Sequence, residues 1–182
     1  MFPASPTINK LGSGFSSPEA VAVDPSGNVF VADSGHNAVK EILAVDGVIP
    51  SSPTIETLGS GFTGPAGVAV DFSGNVYLVD DYNETLKEIL AVDGVIPTSP
   101  TIETLGSGFN WPNGVAVDGS GNVYVADAHN KAVKEILAVN GVIPASPTIN
   151  TLGSGFNQPF GVAVDASGNV SLAYNMSGVF SK

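Results

Sequence analysis

The chain has 182 residues, of which 43% are hydrophobic and 13% charged; six Lys, no Arg and 17 acidic residues leave a net charge of −11. That length fits one domain with a sizeable core, and the charge argues against nucleic acid or an anionic membrane surface as partner, since both are held by Lys and Arg. There is no Cys, which excludes disulfides and thiolate metal sites, and no run of about 20 apolar residues that would mark a membrane span.

The opening residues, MFPASPTIN, lack a basic stretch followed by an apolar core, so no signal peptide is visible there. Without Cys the redox compartment stays open; an extracellular or periplasmic setting is the one favoured. Pro3 to Asn9 (PASPTIN) is identical to Pro144 to Asn150. The chain thus begins inside a repeat. LGSGF then occurs four times, from Leu11, Leu58, Leu105 and Leu152, at a constant spacing of 47 residues. The copies starting at Thr54 and Thr101 agree at 34 of 47 positions. A fixed period of this size indicates a solenoid or a propeller.

Within one copy the elements follow in order. Gly67 to Asp71 (GVAVD) is an unbroken apolar run with β-branched residues, as expected of a strand buried on both faces (strand A). Phe72-Ser73-Gly74-Asn75 is a turn, in which Asp71 accepts backbone hydrogen bonds. Val76 to Asp80 (VYLVD) is strand B. A polar loop leads to strand C, about Leu86 to Val92 (LKEILAV). The stretch ETLKEILAV also admits a helical stripe. It is only about nine residues and runs straight into Asp93-Gly94, a hairpin signal, so a strand is preferred. Strand D is read over Val95 to Leu105; Pro97 and Pro100 place it at an edge. Four such strands make a propeller blade.

The pattern from Pro112 to Lys134, P-x-G-V-A-V-D-x-S-G-N-V-Y-V-A-D-x-x-N-x-x-V-K, resembles the NHL-repeat family of β-propellers. The resemblance runs through nearly the whole chain and implies an all-β propeller of four-stranded antiparallel blades. Residues 1–182 read as a single NHL-type domain with repeats starting near Thr7, Thr54, Thr101 and Thr148. The family usually has six blades, and here there are four repeats. Val179 to Lys182 aligns with the start of strand C, so the N-terminal strand D is expected to complete the last blade. The alternatives are a homodimer forming an eight-bladed ring, or a chain that is a piece of a longer array. The last repeat also departs from the pattern: SLAYNMSGVFSK replaces VYVADxxNxxVKE, with Tyr174 in place of the strand B Asp.

The propeller reading puts loops D–A and B–C on one face, around the mouth of the central channel. The A–B and C–D turns are near-constant between copies, whereas the D–A and B–C loops differ. The candidate ligand-binding rim is therefore Glu19, His36, Tyr82, Asn83, Trp111, Asn113, His129 and Phe160. Trp, Tyr and Phe on one rim suit a protein side chain or a sugar. The charge favours a protein or a small neutral or cationic ligand. No cofactor is expected. A divalent cation has only Glu19 and Asn113 to start from, a partial version of the ring in the calcium-dependent lactonase propellers, which resemble NHL domains; Asp80 and Asp127 join only if their side chains reach inward. Two His without a third ligand make a poor zinc set, and no catalytic residues are assigned.

Asp24, Asp71, Asp118 and Asp165 each precede x-Ser-Gly-Asn and read as turn caps. Asp33, Asp80 and Asp127 read as strand-end caps. The Lys40-Glu41, Lys87-Glu88 and Lys134-Glu135 pairs read as solubilising charges or partners of neighbouring strands. The expected function is a non-enzymatic ligand-binding scaffold using the D–A and B–C loop face. The alternatives are a metal-dependent lactonase-like or lyase-like enzyme at the channel mouth, and a purely structural repeat unit.

Overall fold

The computed structural model describes residues 8–175. Three four-stranded antiparallel sheets and one two-stranded sheet follow one another along the chain. The first blade is β1 (Pro18–Val23), β2 (Val29–Asp33), β3 (Ala38–Ile42) and β4 (Ile55–Leu58). The second is β5 (Pro65–Val70), β6 (Val76–Asp80), β7 (Thr85–Ile89) and β8 (Ile102–Gly106). The third is β9 (Pro112–Val117), β10 (Val123–Asp127), β11 (Ala132–Ile136) and β12 (Ile149–Ser154), and the fourth consists of β13 (Pro159–Val164) and β14 (Val170–Tyr174). Each blade runs up and down in sequence order. The strand proposed to close the last blade, Pro3 to Asn9, and its partner from Val179 onward fall largely or wholly outside the described residues.

Blades stack through their innermost strands: β1 packs on β5, β5 on β9 and β9 on β13. Side chains alternate between the two faces of each sheet, so every interior blade contributes to two cores. Val68, Val76, Leu78 and Ile89 meet Phe30, Ala32 and Val39 of the first blade. From the other face of the same sheet, Ala69, Tyr77, Val79 and Leu86 meet Val115, Val123, Val125 and Ile136 of the third. This double use explains the unbroken apolar runs. All five residues of β2, of β6 and of β10 are buried.

The A–B turns are closed as their residue types require. Asp71 Oδ1 accepts from the backbone N–H groups of Ser73 and Asn75 at 2.8 and 2.9 Å, and Oδ2 accepts from Asn75 Nδ2 at 2.9 Å. Asn75 Oδ1 in turn accepts from the N–H of Ala91 beyond strand C, at 3.0 Å. The same bonds recur around Asp118 and Asn122. Burial by itself would raise the Asp118 carboxyl, but these hydrogen bonds hold it below its ordinary range.

Two expectations are corrected. Strand D of the second blade begins only at Ile102, so Pro97 and Pro100 lie in the loop before it. The Asp93-Gly94 turn closes a small isolated bridge, Val92 with Val95, rather than a long hairpin. Proline cannot donate to a ladder, and the chain places it where no ladder runs. The second correction concerns strand C: Glu41 and Glu88 are buried and so are not solubilising charges, which leaves the other reading, partners of neighbouring strands. Glu88 lies opposite Tyr77, and Glu135 opposite Tyr124. The Tyr124 hydroxyl stands 3.0 Å from Asp118 Oδ2 and 3.2 Å from Glu135 Oε1, so its one proton serves one carboxylate at a time. In the first blade the tyrosine is Phe30, and Glu41 has no hydroxyl opposite it.

Burial, then the carboxylates of Asp24 and Glu56, push Glu41 up from 4.5 to about 7. A raised acid favours its neutral form in the folded chain. Its ionisation therefore costs nothing below the unfolded value and the full amount above the folded one. Glu41→Gln removes that cost. Its melting temperature is expected to exceed that of the wild type by about 2–4 °C near pH 8 and to match it near pH 4, as thermal denaturation at the two pH values will measure.

Candidate functional site

A second carboxylate network builds the loop face. Strand B ends in Asp33, Asp80 or Asp127, each fully buried. Oδ1 of each accepts from the N–H of a D–A loop residue: Ser16 at 2.6 Å, Thr63 at 2.8 Å and Asn110 at 2.8 Å. Oδ2 faces the B–C loop, where Asn83 and Asn130 each donate through Nδ2 at 2.8 Å. In the first blade His36 takes that place, with Nδ1 2.8 Å from Asp33 Oδ2, and Lys40 Nζ lies 2.6 Å from the same oxygen. Burial would raise the Asp33 carboxyl, but its bonds to Lys40, His36 and the Ser16 N–H hold it below its usual range. One buried side chain thus fixes two loops. The side chains of His36 and Asn83 are engaged in this scaffold. The carboxylates of Asp80 and Asp127 are taken up by loop donors, and neither residue lines the cavity between the inner strands.

The backbone completes the arrangement. The N–H groups of Tyr82 and His129 donate to the carbonyls of Thr63 and Asn110, and that of Asn175 donates to Asn157. D–A and B–C loops therefore lie side by side on one face. Strand A enters each sheet through a register shift just after its proline. Such a bulge redirects the side chain it carries. The residues directly after the four prolines are Glu19, Ala66, Asn113 and Phe160, and all four line one cavity of 270 Å³ between the inner strands. The residue before each proline has positive φ: Ser17 at 46°, Gly64 at 66°, Trp111 at 51° and Gln158 at 50°. That conformation disfavours a bulky side chain, yet the chain's single Trp occupies it.

Trp111 stacks on His129, with ring centroids 4.8 Å apart and planes 10° from parallel. Tyr82 of the second blade meets Trp111 edge-on at 6.2 Å and 78°. Tyr82 is 66% exposed and Trp111 48%. Tyr82 lies over Gly64, where a Cβ would come within 2.5 Å of its ring. The three aromatic rings form a continuous platform across two blades. Beside them is Asp81, where the other blades have Ser34, Ala128 and Asn175. Its Oδ1 is buried without a hydrogen-bond partner among the described residues. Burial raises its pKa, the carboxylates of Glu19, Asp80 and Glu84 add to the rise, and His129 opposes it.

The sequence-derived rim thus divides in three. Glu19, Asn113 and Phe160 line the cavity between the inner strands; Tyr82, Trp111 and His129 form the platform; His36 and Asn83 brace the loops. Asp81 lies in a B–C loop that varies between copies but is not in the sequence-derived rim, because an orphaned oxygen has no signature in the repeat.

The NHL repeat model matches residues 15–42 and 109–136, the A–B–C strands of the first and third blades. The chain carries NHL repeats. The blade array superposes on solved propellers, among them one in a nidogen–laminin complex. That match has a TM-score of 0.69 at 17% identity, covering 87% of this chain and 57% of the other. A gluconolactonase from Xanthomonas campestris matches with a TM-score of 0.67 at 12% identity, covering 90% and 56%. Virginiamycin B lyase from Staphylococcus aureus matches at 0.66 and 13% identity, covering 90% and 50%. This chain spans about half the length of these solved chains, and the likeness is one of fold. No curated protein matches it in sequence.

Trp111→Gly separates a binding role from a folding one. Relief of the left-handed backbone offsets the lost stacking, each on the order of 1 kcal/mol. The variant is expected to keep its unfolding free energy within about 1 kcal/mol of the wild type in urea; a loss above about 2 kcal/mol would make Trp111 a structural residue.

Proposed function

We infer that this chain is a non-enzymatic binding propeller whose D–A and B–C loop face takes a protein partner. The observation that carries the reading is the Trp111–His129–Tyr82 platform. A bulky ring is held in an unfavourable backbone conformation and half exposed. Backbone strain of this kind is retained where the surroundings enforce it, and it gathers at ligand clamps. Exposed Trp and Tyr are the residue types that anchor protein interfaces. Beside them, Asp81 Oδ1 has no donor among the described residues, and Glu19 is close enough to raise its pKa. A lysine side chain of a partner suits this face, its stem on the rings and its ammonium toward the negative charge of Glu19 and Asp81. The match to a propeller in a nidogen–laminin complex supports a protein partner.

The lactonase-like or lyase-like alternative needs a cation at the channel mouth. There the cavity offers one carboxylate, Glu19, and one amide, Asn113, with Ala66 and Phe160 at the equivalent positions. A hard cation takes six or more oxygen ligands, so this donor set does not fit one.

Trp111 is the only Trp in the chain, so its emission reports on this face alone. Titration with lysine-containing peptides is expected to quench or shift that emission saturably, and paired Tyr82→Ala and Asp81→Asn changes should weaken binding at least tenfold, about 1.4 kcal/mol. Peptides that leave the emission unchanged, or bind the paired variant equally well, would overturn the reading. Calcium and chelator supply the second arm: a rise in melting temperature of several degrees with calcium, reversed by chelator, would favour the enzyme reading.

A further inference from the structure

Among the described residues the blade array has two uncovered ends, and they match each other. Inside the chain the same joint is made three times. Strands A and B of one blade pack against strand A of the next: β1 and β2 on β5, β5 and β6 on β9, β9 and β10 on β13. The joint has a front half and a back half. The front half is Val68 in the second blade and Val115 in the third, 6% and 8% exposed. The corresponding residue of the first blade is Val21, which is 66% exposed, with Val23 at 61%. Nothing among the described residues packs there as the preceding blade does elsewhere.

The back half is marked by glycine. A Cβ on Gly67 would lie 2.4 Å from the carbonyl oxygen of Asn113 and 3.1 Å from the nitrogen of Val115. One on Gly114 would lie 2.6 Å from the carbonyl oxygen of Phe160 and 3.1 Å from the nitrogen of Val162. Glycine stands at these two joints because the next strand A brings its backbone that close; at the first joint Ala20 takes the place. The fourth blade has Gly161 at the same position. A Cβ there would meet only the Ala173 Cβ, at 3.6 Å. Around it Ala163, Ser171 and Ala173 line an open apolar depression. The fourth blade therefore keeps the seat for a following strand A, and the described chain supplies none.

We propose that the seat is filled by β1 of a second copy. The back of the fourth blade receives Val21 and Val23 of the partner, and the partner's fourth blade receives those of the first copy. Two identical head-to-tail joints then close a ring of eight blades, with both ends covered. Continuity with the internal joints points to this occupant: Gly161 stands where Gly67 and Gly114 receive the next strand A, and Val21 stands where Val68 and Val115 do, with Ser171 in place of Tyr77 and Tyr124. Each copy brings about half the length of the solved chains on which it superposes.

Light scattering on the full chain at micromolar concentration tests this. The expected mass is twice the 18.4 kDa of the chain. Gly161→Val and Val21→Glu block opposite halves of the joint, and each is expected to reduce the mass to that of a single copy. An equimolar mixture of the two is expected to recover the pair, because one joint then joins an intact back to an intact front. Circular dichroism and Trp111 emission report whether each variant is folded; Ala163→Glu replaces Gly161→Val if the latter is not. A single-copy mass for the wild type, a ladder of larger masses, variants that remain paired, or a mixture that fails to recombine would each overturn the proposal.

Discussion

A buried carboxylate at the end of strand B holds the loop face together. Asp33, Asp80 and Asp127 are removed from water, and each is satisfied from two sides, by a D–A loop N–H and by a B–C loop side chain. A desolvated charge is tolerated only with such partners, so its demand for donors fixes the position of both loops. The variable residues are therefore displayed from a constant frame. Trp111 and His129 come from different loops, 18 positions apart, and their rings stack because Asp127 sets the spacing between those loops. The fourth blade shows the frame without its centre. With Tyr174 in place of Asp, the two loops are joined instead by Asn157 Nδ2 donating to the Asn175 carbonyl at 2.8 Å.

Division of labour between the two ends of each blade follows from where side chains are spent. At the A–B end the Asp and Asn side chains are taken up by the turn, and in the first three blades its glycine is hemmed in: a Cβ on Gly74 would lie 2.9 Å from the Gly94 carbonyl oxygen. Little can change there without disturbing two turns at once. At the loop end the frame needs only the Asp and one donor, leaving the residues around each proline free to differ. Four bulges then project Glu19, Ala66, Asn113 and Phe160 into one cavity, and four left-handed residues carry whatever the face displays.

Much of this could be read before any coordinates. The 47-residue period, the Asp-x-Ser-Gly-Asn turns and the strand B limits are local patterns with a local cause, and they match the structure closely. Strand D was misjudged because an outer strand has a weak hydrophobic signature, so its start could not be told from the proline-bearing loop before it. The burial of Glu88 was hidden for a different reason. Its justification is a hydroxyl on Tyr77, a cross-strand neighbour, and no spacing rule within one strand reveals it. At the site, alignment of the repeats placed Tyr82 and His129 at equivalent positions. It could not show that Trp111 bridges them, since that contact depends on the angle between two blades.

The replacement of Tyr by Phe30 in the first blade has a consequence for how the repeats relate to one another. Tyr124 stands between a turn aspartate and a strand C glutamate, and its one proton passes to either, so each acid of that blade has a donor within reach. The first blade has the two acids without that donor. Stability in a repeat array is a sum of terms within repeats and between neighbours, and here the internal term differs from blade to blade. Nearly identical sequences are thus not interchangeable parts: exchanging the first blade for the third would move a polar clasp from the interior of the array to its end.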